Sequence, residues 1–316
     1  MGVALVLAMS GNWLVVCSTP AAANGVSSTW NGGPPESGGL ASGKLVPPNG
    51  SYLGLYYGAG SIKDTNNRIG AAPKVHLTYF DWTDDWTIAA STQQDFAAKR
   101  IPLINWEPFD VDFRDIVDGK ADAMINTRGA EAAKLPGPFF LDFAAEMNED
   151  EGWGRHDPAR YVAAWRHIHD IFTKRGATNA VWVWAPNCTD SDGGPPAAAY
   201  YPGVDYVDWT GIDGYNWGTS DPDFDWESFG EVFGPMYDGL KTFGKPVMIG
   251  ETASDERGGG KADWIADIVP QLQSRFADVR AVVWFDVKKE RDWRINSSAA
   301  SLAAFRQLAS NPVFKQ

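Results

Sequence analysis

From residue 51 onward the chain repeats one pattern. A short apolar run is followed by a longer amphipathic stretch, and the alternation holds to the end. The apolar runs are YLGLYYG (52–58), KVHLTYF (74–80), IPLINWE (101–107), PFFLDFAAE (138–146), AVWVWAPN (180–187), VDWTGIDGYN (207–216), PVMIGE (246–251) and AVVWFD (281–286). Each reads as a strand. The stretches between them carry helix signals. DPARYVAAWRHIHDIFTKRG (157–176) has Pro158 near its start and Gly176 as its stop, and GGKADWIADIVPQLQSRF (259–276) is a second example. Eight strand-then-helix units in about 260 residues predict an α/β fold, a (β/α)8 TIM barrel forming a single catalytic domain over 51–316. A doubly wound open sheet is the alternative. The first strand is not followed by the glycine-rich phosphate loop that such a fold usually carries.

The pattern is different before residue 51. Residues 24–50 are rich in Gly, Ser and Pro without periodicity, which predicts a flexible linker or arm. Residues 1–23 resemble a secretory signal peptide. An apolar run over 3–16 precedes the A-x-A site Ala21-Ala22-Ala23, although no Lys or Arg stands before the run. The expectation is a secreted protein, extracellular or periplasmic. An uncleaved anchor is the alternative, but Ser10, Gly11 and Asn12 interrupt the run. Removing such a leader also removes Cys17, so Cys188 is expected to be a buried thiol.

Charge and composition narrow the partners. A net charge of −13 argues against nucleic acid and against anionic membranes. The 15 Trp residues suit a surface that stacks on the C–H faces of sugar rings. A polysaccharide substrate and a monomeric state are expected. The spacing of His, Cys, Asp and Glu suggests no metal site, and no cofactor is expected.

In a barrel of this kind chemistry sits at the C-terminal ends of the strands. The third strand ends in Trp106 and Glu107, the fourth in Glu146, Met147 and Asn148, and the fifth in Asn187. The sixth ends in Asp213, Tyr215 and Trp217, the seventh in Glu251, and the eighth in Trp284 and Asp286. His76, on the second strand, is a candidate for the barrel mouth. Carboxylates, amides and aromatics with few cations suit hydrolysis of a neutral sugar polymer. That reaction needs one protonated carboxyl and one ionised carboxylate across the scissile bond. Glu146 and Glu251 are the best pair, because each closes an apolar strand and strands four and seven lie across the ring. Their expected separation is about 5 Å, the retaining distance.

The ordered segments EMN (146–148), YVAAWRHIHDIFTKRGATNAVWVWAPN (161–187), YYPGVDYVDWTGIDGYNWG (200–218), KPVMIGETAS (245–254) and AVVWFD (281–286) resemble glycoside hydrolase family 26. That family contains retaining barrels, mostly β-mannanases, with some β-1,3-1,4-glucanases and β-1,3-xylanases. The resemblance implies Glu146 as acid/base and Glu251 as nucleophile. It also implies Asp213 and Tyr215 hydrogen-bonded near the nucleophile, and Trp284 as a sugar platform. Three departures accompany it. Ala145 and Asp142 stand where the family usually has His and Arg. EDEGWG (149–154) replaces the stretch that follows EMNG, which leaves Trp153 as the sugar contact there. Phe285 stands where mannanases often carry Arg. The reading is a retaining, endo-acting hydrolase of a β-linked polysaccharide of the β-mannan or β-1,3-1,4-glucan type, working by double displacement on two glutamates. The alternatives are a carbohydrate-binding pseudoenzyme on the same barrel, and a hydrolase of another β-glycan such as a bacterial exopolysaccharide. Further candidate contacts are Trp106, Trp217, Asn148, Asn187 and His76.

Overall fold

The computed structural model describes residues 44–315. The leader-like segment and most of the proposed arm lie outside the described residues. Eight parallel strands close into a barrel in sequence order. They are β1 (Tyr52–Tyr56), β2 (Val75–Asp81), β3 (Ile101–Glu107), β4 (Phe139–Phe143), β5 (Ala180–Trp184), β6 (Trp209–Asn216), β7 (Val247–Ser254) and β8 (Val279–Phe285). β1 pairs with β8 over Tyr52–Tyr56 and closes the ring. Around it run α1 (Ile62–Ile69), α2 (Ala90–Ala97), α3 (Phe113–Val117), α4 (Asp122–Ala132), α5 (Pro158–Lys174), α6 (Phe229–Leu240), α7 (Lys261–Gln273) and α8 (Ala299–Ser310). This is the expected (β/α)8 barrel. Among the described residues no helix is long and apolar enough to cross a membrane.

Local sequence explains the helix limits. Asp157 caps α5 by accepting from the Arg160 amide, and Pro158 takes a first-turn position that needs no amide donor. Ser228 and Glu231 form a reciprocal capping box on α6.

Strand residues alternate between two cores. The outward set packs on the helices. The inward set fills the barrel with Tyr52, Leu77, Leu103, Phe140, Val183, Trp209 and Met248 among others. Its chemistry changes with height. In β3 the inward positions run Ile101, Leu103, Asn105, Glu107, apolar at the bottom and polar at the top. In β4 Asp142 follows Phe140, and in β6 Asp213 and Tyr215 follow Trp209 and Gly211. The barrel is therefore plugged below by burial and open above to polar chemistry.

The last residues of the proposed arm belong to that plug. Leu45 and Val46 pack against the interior cluster, and the Trp209 indole Nε1 donates to the Lys44 carbonyl at 2.8 Å. The ordered unit thus includes residues 44–50, which the sequence assigned to a linker. Gly and Pro content marks a lack of helix or strand, but it does not exclude packing.

Candidate active site

Above the plug lies a cleft of about 690 Å³. Its walls carry Glu107, Glu146, Glu149, Glu251 and Glu290, with Lys288 and Lys289 on one side. Aromatic rings of Tyr56, Tyr79, Phe109, Trp153, Tyr215, Trp217, Phe285 and Trp293 complete them.

Glu251 reaches the cleft through a break in strand alternation. Met248 faces inward, so regular alternation would turn Glu251 outward. Pairing with β6 runs Ile212–Ile249 and then Asp213–Glu251, skipping Gly250, and the pairing with β8 also shifts there. This bulge inserts one residue and swings Glu251 into the barrel. Only glycine fits at the bulge, because a Cβ on residue 250 would lie 2.5 Å from Asp213 Oδ1. Two hydroxyls then hold the Glu251 carboxylate. Tyr215 donates to Oε2 at 2.6 Å and Tyr79 donates to Oε1. Burial raises the Glu251 pKa, and those two hydrogen bonds pull it back down by favouring the ionised form.

Glu146 arrives differently. β4 ends at Phe143, and Ala144 and Glu146 both take left-handed backbone, with φ of 53° and 55°. The turn breaks the strand alternation that would give Asp142 and Glu146 the same face, yet both side chains point inward. Asn187 Nδ2 donates to Glu146 Oε1 at 2.9 Å. Burial pushes Glu146 up to about 8, with the Glu251 charge adding to it and the Asn187 hydrogen bond opposing it. Glu107 also rises to about 8, through burial and then through Glu251, Asp81 and Glu146. Asp142 and Asp213 lie deeper, fully surrounded, and both are raised well above the carboxylate range by burial first and by Glu251 and Glu146 next. Carboxyls gathered this closely hold one another's pKa values up, because each charge disfavours the next.

The other candidates divide. Trp153 and Trp217 line the cleft, Trp153 edge-on to Phe109 and Trp217 stacked on Phe224. Tyr215 lines it as well, and Asp213 lies buried beside Glu251. Asn187 is buried and holds Glu146 in place.

Five expectations need correction. Trp284 does not present a platform to the cleft. It faces outward, 1% exposed, edge-on to Trp264 and Phe305, and its Nε1 donates to the Trp293 carbonyl at 2.8 Å. Its neighbour Phe285 has the inward parity and lines the cleft. Trp106 is likewise outward, stacked on Trp82 with centroids 4.6 Å apart and Nε1 bonded to the Trp82 carbonyl. His76 turns away from the mouth toward α2, where its Nδ1 meets Asp95 at 2.8 Å. Asn148 contacts no cleft space. Its side chain clips the loop after β5, donating to the Asn187 and Thr189 carbonyls and to Asp190 and accepting from the Asn187 amide. Cys188 is buried as expected, but it is not a free thiol.

Sequence reasoning missed Tyr79, Phe285, Trp293 and Glu149. The first two were readable. Tyr79 stands two residues after Leu77 at the top of β2, and Phe285 two after Val283 at the top of β8. Trp293 and Glu149 sit on loops, where no periodicity points to them.

A closed eight-stranded barrel with carboxyl groups gathered at the C-terminal rim defines the class, a TIM barrel built for chemistry at one end. The comparisons then give the family. Residues 145–294 match the model of glycosyl hydrolase family 26. Endoglucanase H of Acetivibrio thermocellus is 36% identical over 285 residues, 83% of this chain and 31% of that protein. Mannan endo-1,4-beta-mannosidase A and B of Caldalkalibacillus mannanilyticus is 26% identical over 184 residues, 55% of this chain and 32% of that protein. The chain thus spans about a third of the length of these two curated relatives. The structure of a GH26 beta-mannanase from Bacteroides ovatus superposes with a TM-score of 0.58 at 15% identity, over 84% of this chain and 90% of that one, a likeness of fold. The chain belongs to glycoside hydrolase family 26.

Proposed function

We propose that the chain is a retaining, endo-acting glycoside hydrolase of a neutral β-glucan. The observation that carries the reading is the unequal treatment of two facing glutamates. Glu251 receives two tyrosine hydroxyls, which favour its anion. Glu146 receives one amide and keeps its proton to about pH 8. Environments that push two carboxyls apart in this way assign the acid and the nucleophile.

Glu251 attacks the anomeric carbon while Glu146 gives its proton to the leaving glycosidic oxygen. A covalent glycosyl ester on Glu251 results. Glu146, now ionised, takes a proton from water, which attacks the same carbon and frees Glu251. A separation of about 5 Å between the two carboxyls is what this route requires. Trp153 supplies a stacking face along the cleft, and Trp217 lines it as an edge packed on Phe224.

Glucan is favoured over mannan on two grounds. The relative that is 36% identical over 83% of this chain is named an endoglucanase. Phe285 also presents an apolar ring at the cleft floor, where mannanases often carry a guanidinium. The test is hydrolysis of mixed-linkage β-glucan, β-1,4-glucan, β-mannan and β-1,3-xylan by the full chain, with Glu146→Gln and Glu251→Gln alongside. Cleavage of a glucan by the wild type, lost in both variants, is expected. Binding without cleavage by the wild type would replace the enzyme with a carbohydrate-binding protein.

A further inference from the structure

We propose that Glu149 is a positioning residue that shares a proton with Glu146 and sets the pH at which the acid/base loses it. This rests on Glu146 being the acid/base.

The geometry is local and specific. The chain turns sharply after Glu146, with the Glu149 amide donating to the Glu146 carbonyl at 3.3 Å. This turn brings the Glu149 side chain back into the cleft beside Glu146. Asn187 then joins them, since one Nδ2 donates to Glu146 Oε1 at 2.9 Å and to Glu149 Oε1 at 2.7 Å. Two carboxyls gathered on one amide nitrogen repel each other when both are ionised. The last proton of the pair is therefore retained to higher pH than either carboxyl would hold alone. The residue before the acid cannot do this tuning, because Ala145 has no titratable group.

The Glu251 charge also raises Glu146, but it acts across the cleft and through no shared donor. Glu251 faces Glu146 from β7 and Glu107 from β3, while Asp142 and Asp213 lie below on β4 and β6. Asp150 adjoins Glu149, and Lys289, from the loop after β8, opposes the repulsion. Of these only Glu149 shares a hydrogen-bond donor with Glu146.

The test compares the wild-type chain with Glu149→Gln and Glu149→Asp on the glucan it cleaves. The basic limb of the kcat/KM profile should move down by about one pH unit in Glu149→Gln and less in Glu149→Asp, with KM near the wild-type value. An unmoved limb with a uniform loss at every pH would overturn the proposal. So would a dead Glu149→Gln whose turnover of an aryl glycoside returns with azide, which would make Glu149 the acid itself. A second readout needs no turnover. Carbodiimide modifies protonated carboxyls, and the pH midpoint of Glu146 labelling, read by peptide mass, should fall in Glu149→Gln. If the wild type cleaves nothing yet that midpoint falls, the hydrolase reading fails and the proton sharing stands. If the midpoint stays, the proton sharing fails whatever the activity.

Discussion

Of the two tyrosines bonded to Glu251, the proposed nucleophile, Tyr79 stands farther from it in sequence. Its hydroxyl and that of Tyr215 saturate the two oxygens of Glu251. Burial alone disfavours the Glu251 anion, and the two hydroxyls oppose that by favouring it. Tyr79→Phe removes a donor to a charged group, worth about 1.5–3 kcal/mol, so kcat/KM should fall about 10- to 150-fold. Without that donor the Glu251 pKa rises, and the acidic limb of the pH–rate profile should move upward. Steady-state kinetics from about pH 4 to 9 check both, and an unchanged acidic limb would show that Tyr79 only packs.

At the scale of elements, the cleft is set by where regular structure stops. Glu251 is inward because β7 carries a bulge at Gly250, and Glu146 is inward because β4 gives way to left-handed turns at Ala144 and Glu146. Gly250→Ala should therefore press on Asp213, cost about 1–3 kcal/mol and displace Glu251. The expected result is a lower Tm together with a large loss of kcat at preserved polymer binding. Trp284→Ala belongs to the other side of β8. It empties a core site at a cost of about 3–5 kcal/mol, so thermal unfolding should drop by roughly 6–20 °C. KM for short oligosaccharides should move far less than in Trp217→Ala; equal effects would return Trp284 to the cleft.

These two elements also show what the sequence could and could not tell. The eight apolar runs, their order and the closed barrel were legible, since buried parallel strands leave long apolar signatures. Glu146 and Glu251 were legible as a pair from strand ends and motif order. The orientation of Trp106, His76 and Trp284 was not, because a strand buried on both faces shows little contrast between inward and outward positions. Glu149 and Trp293 lie on loops whose shape depends on remote partners such as Asn187 for Glu149 and Trp284 for Trp293.

For the whole molecule, the buried carboxyls couple function to stability. Glu107 and Glu146 titrate near 8 when folded against an ordinary value of 4.5. The folded chain then binds more protons than the unfolded chain between those limits. The stability these groups contribute is fully present below about pH 4.5 and is lost as pH rises through about 8. Calorimetry should show Tm falling from about pH 5 to pH 9, with the slope reduced in Glu107→Gln. A Tm that rises over that range would contradict the buried, protonated cluster. The strongly negative net charge adds self-repulsion in the same direction.

The central claim is that Glu251 is a covalent nucleophile. The most direct measurement is the mass of the chain, and of its peptides, after reaction with a 2-deoxy-2-fluoro β-glucoside bearing a good leaving group. Such a compound forms the glycosyl ester and resists its hydrolysis. The expected product carries one added fluoroglucosyl unit, on the peptide that contains Glu251 and absent from Glu251→Gln. A label on Glu146, Glu107 or Glu149 instead, or turnover of the natural polymer with inverted anomeric product, would contradict it.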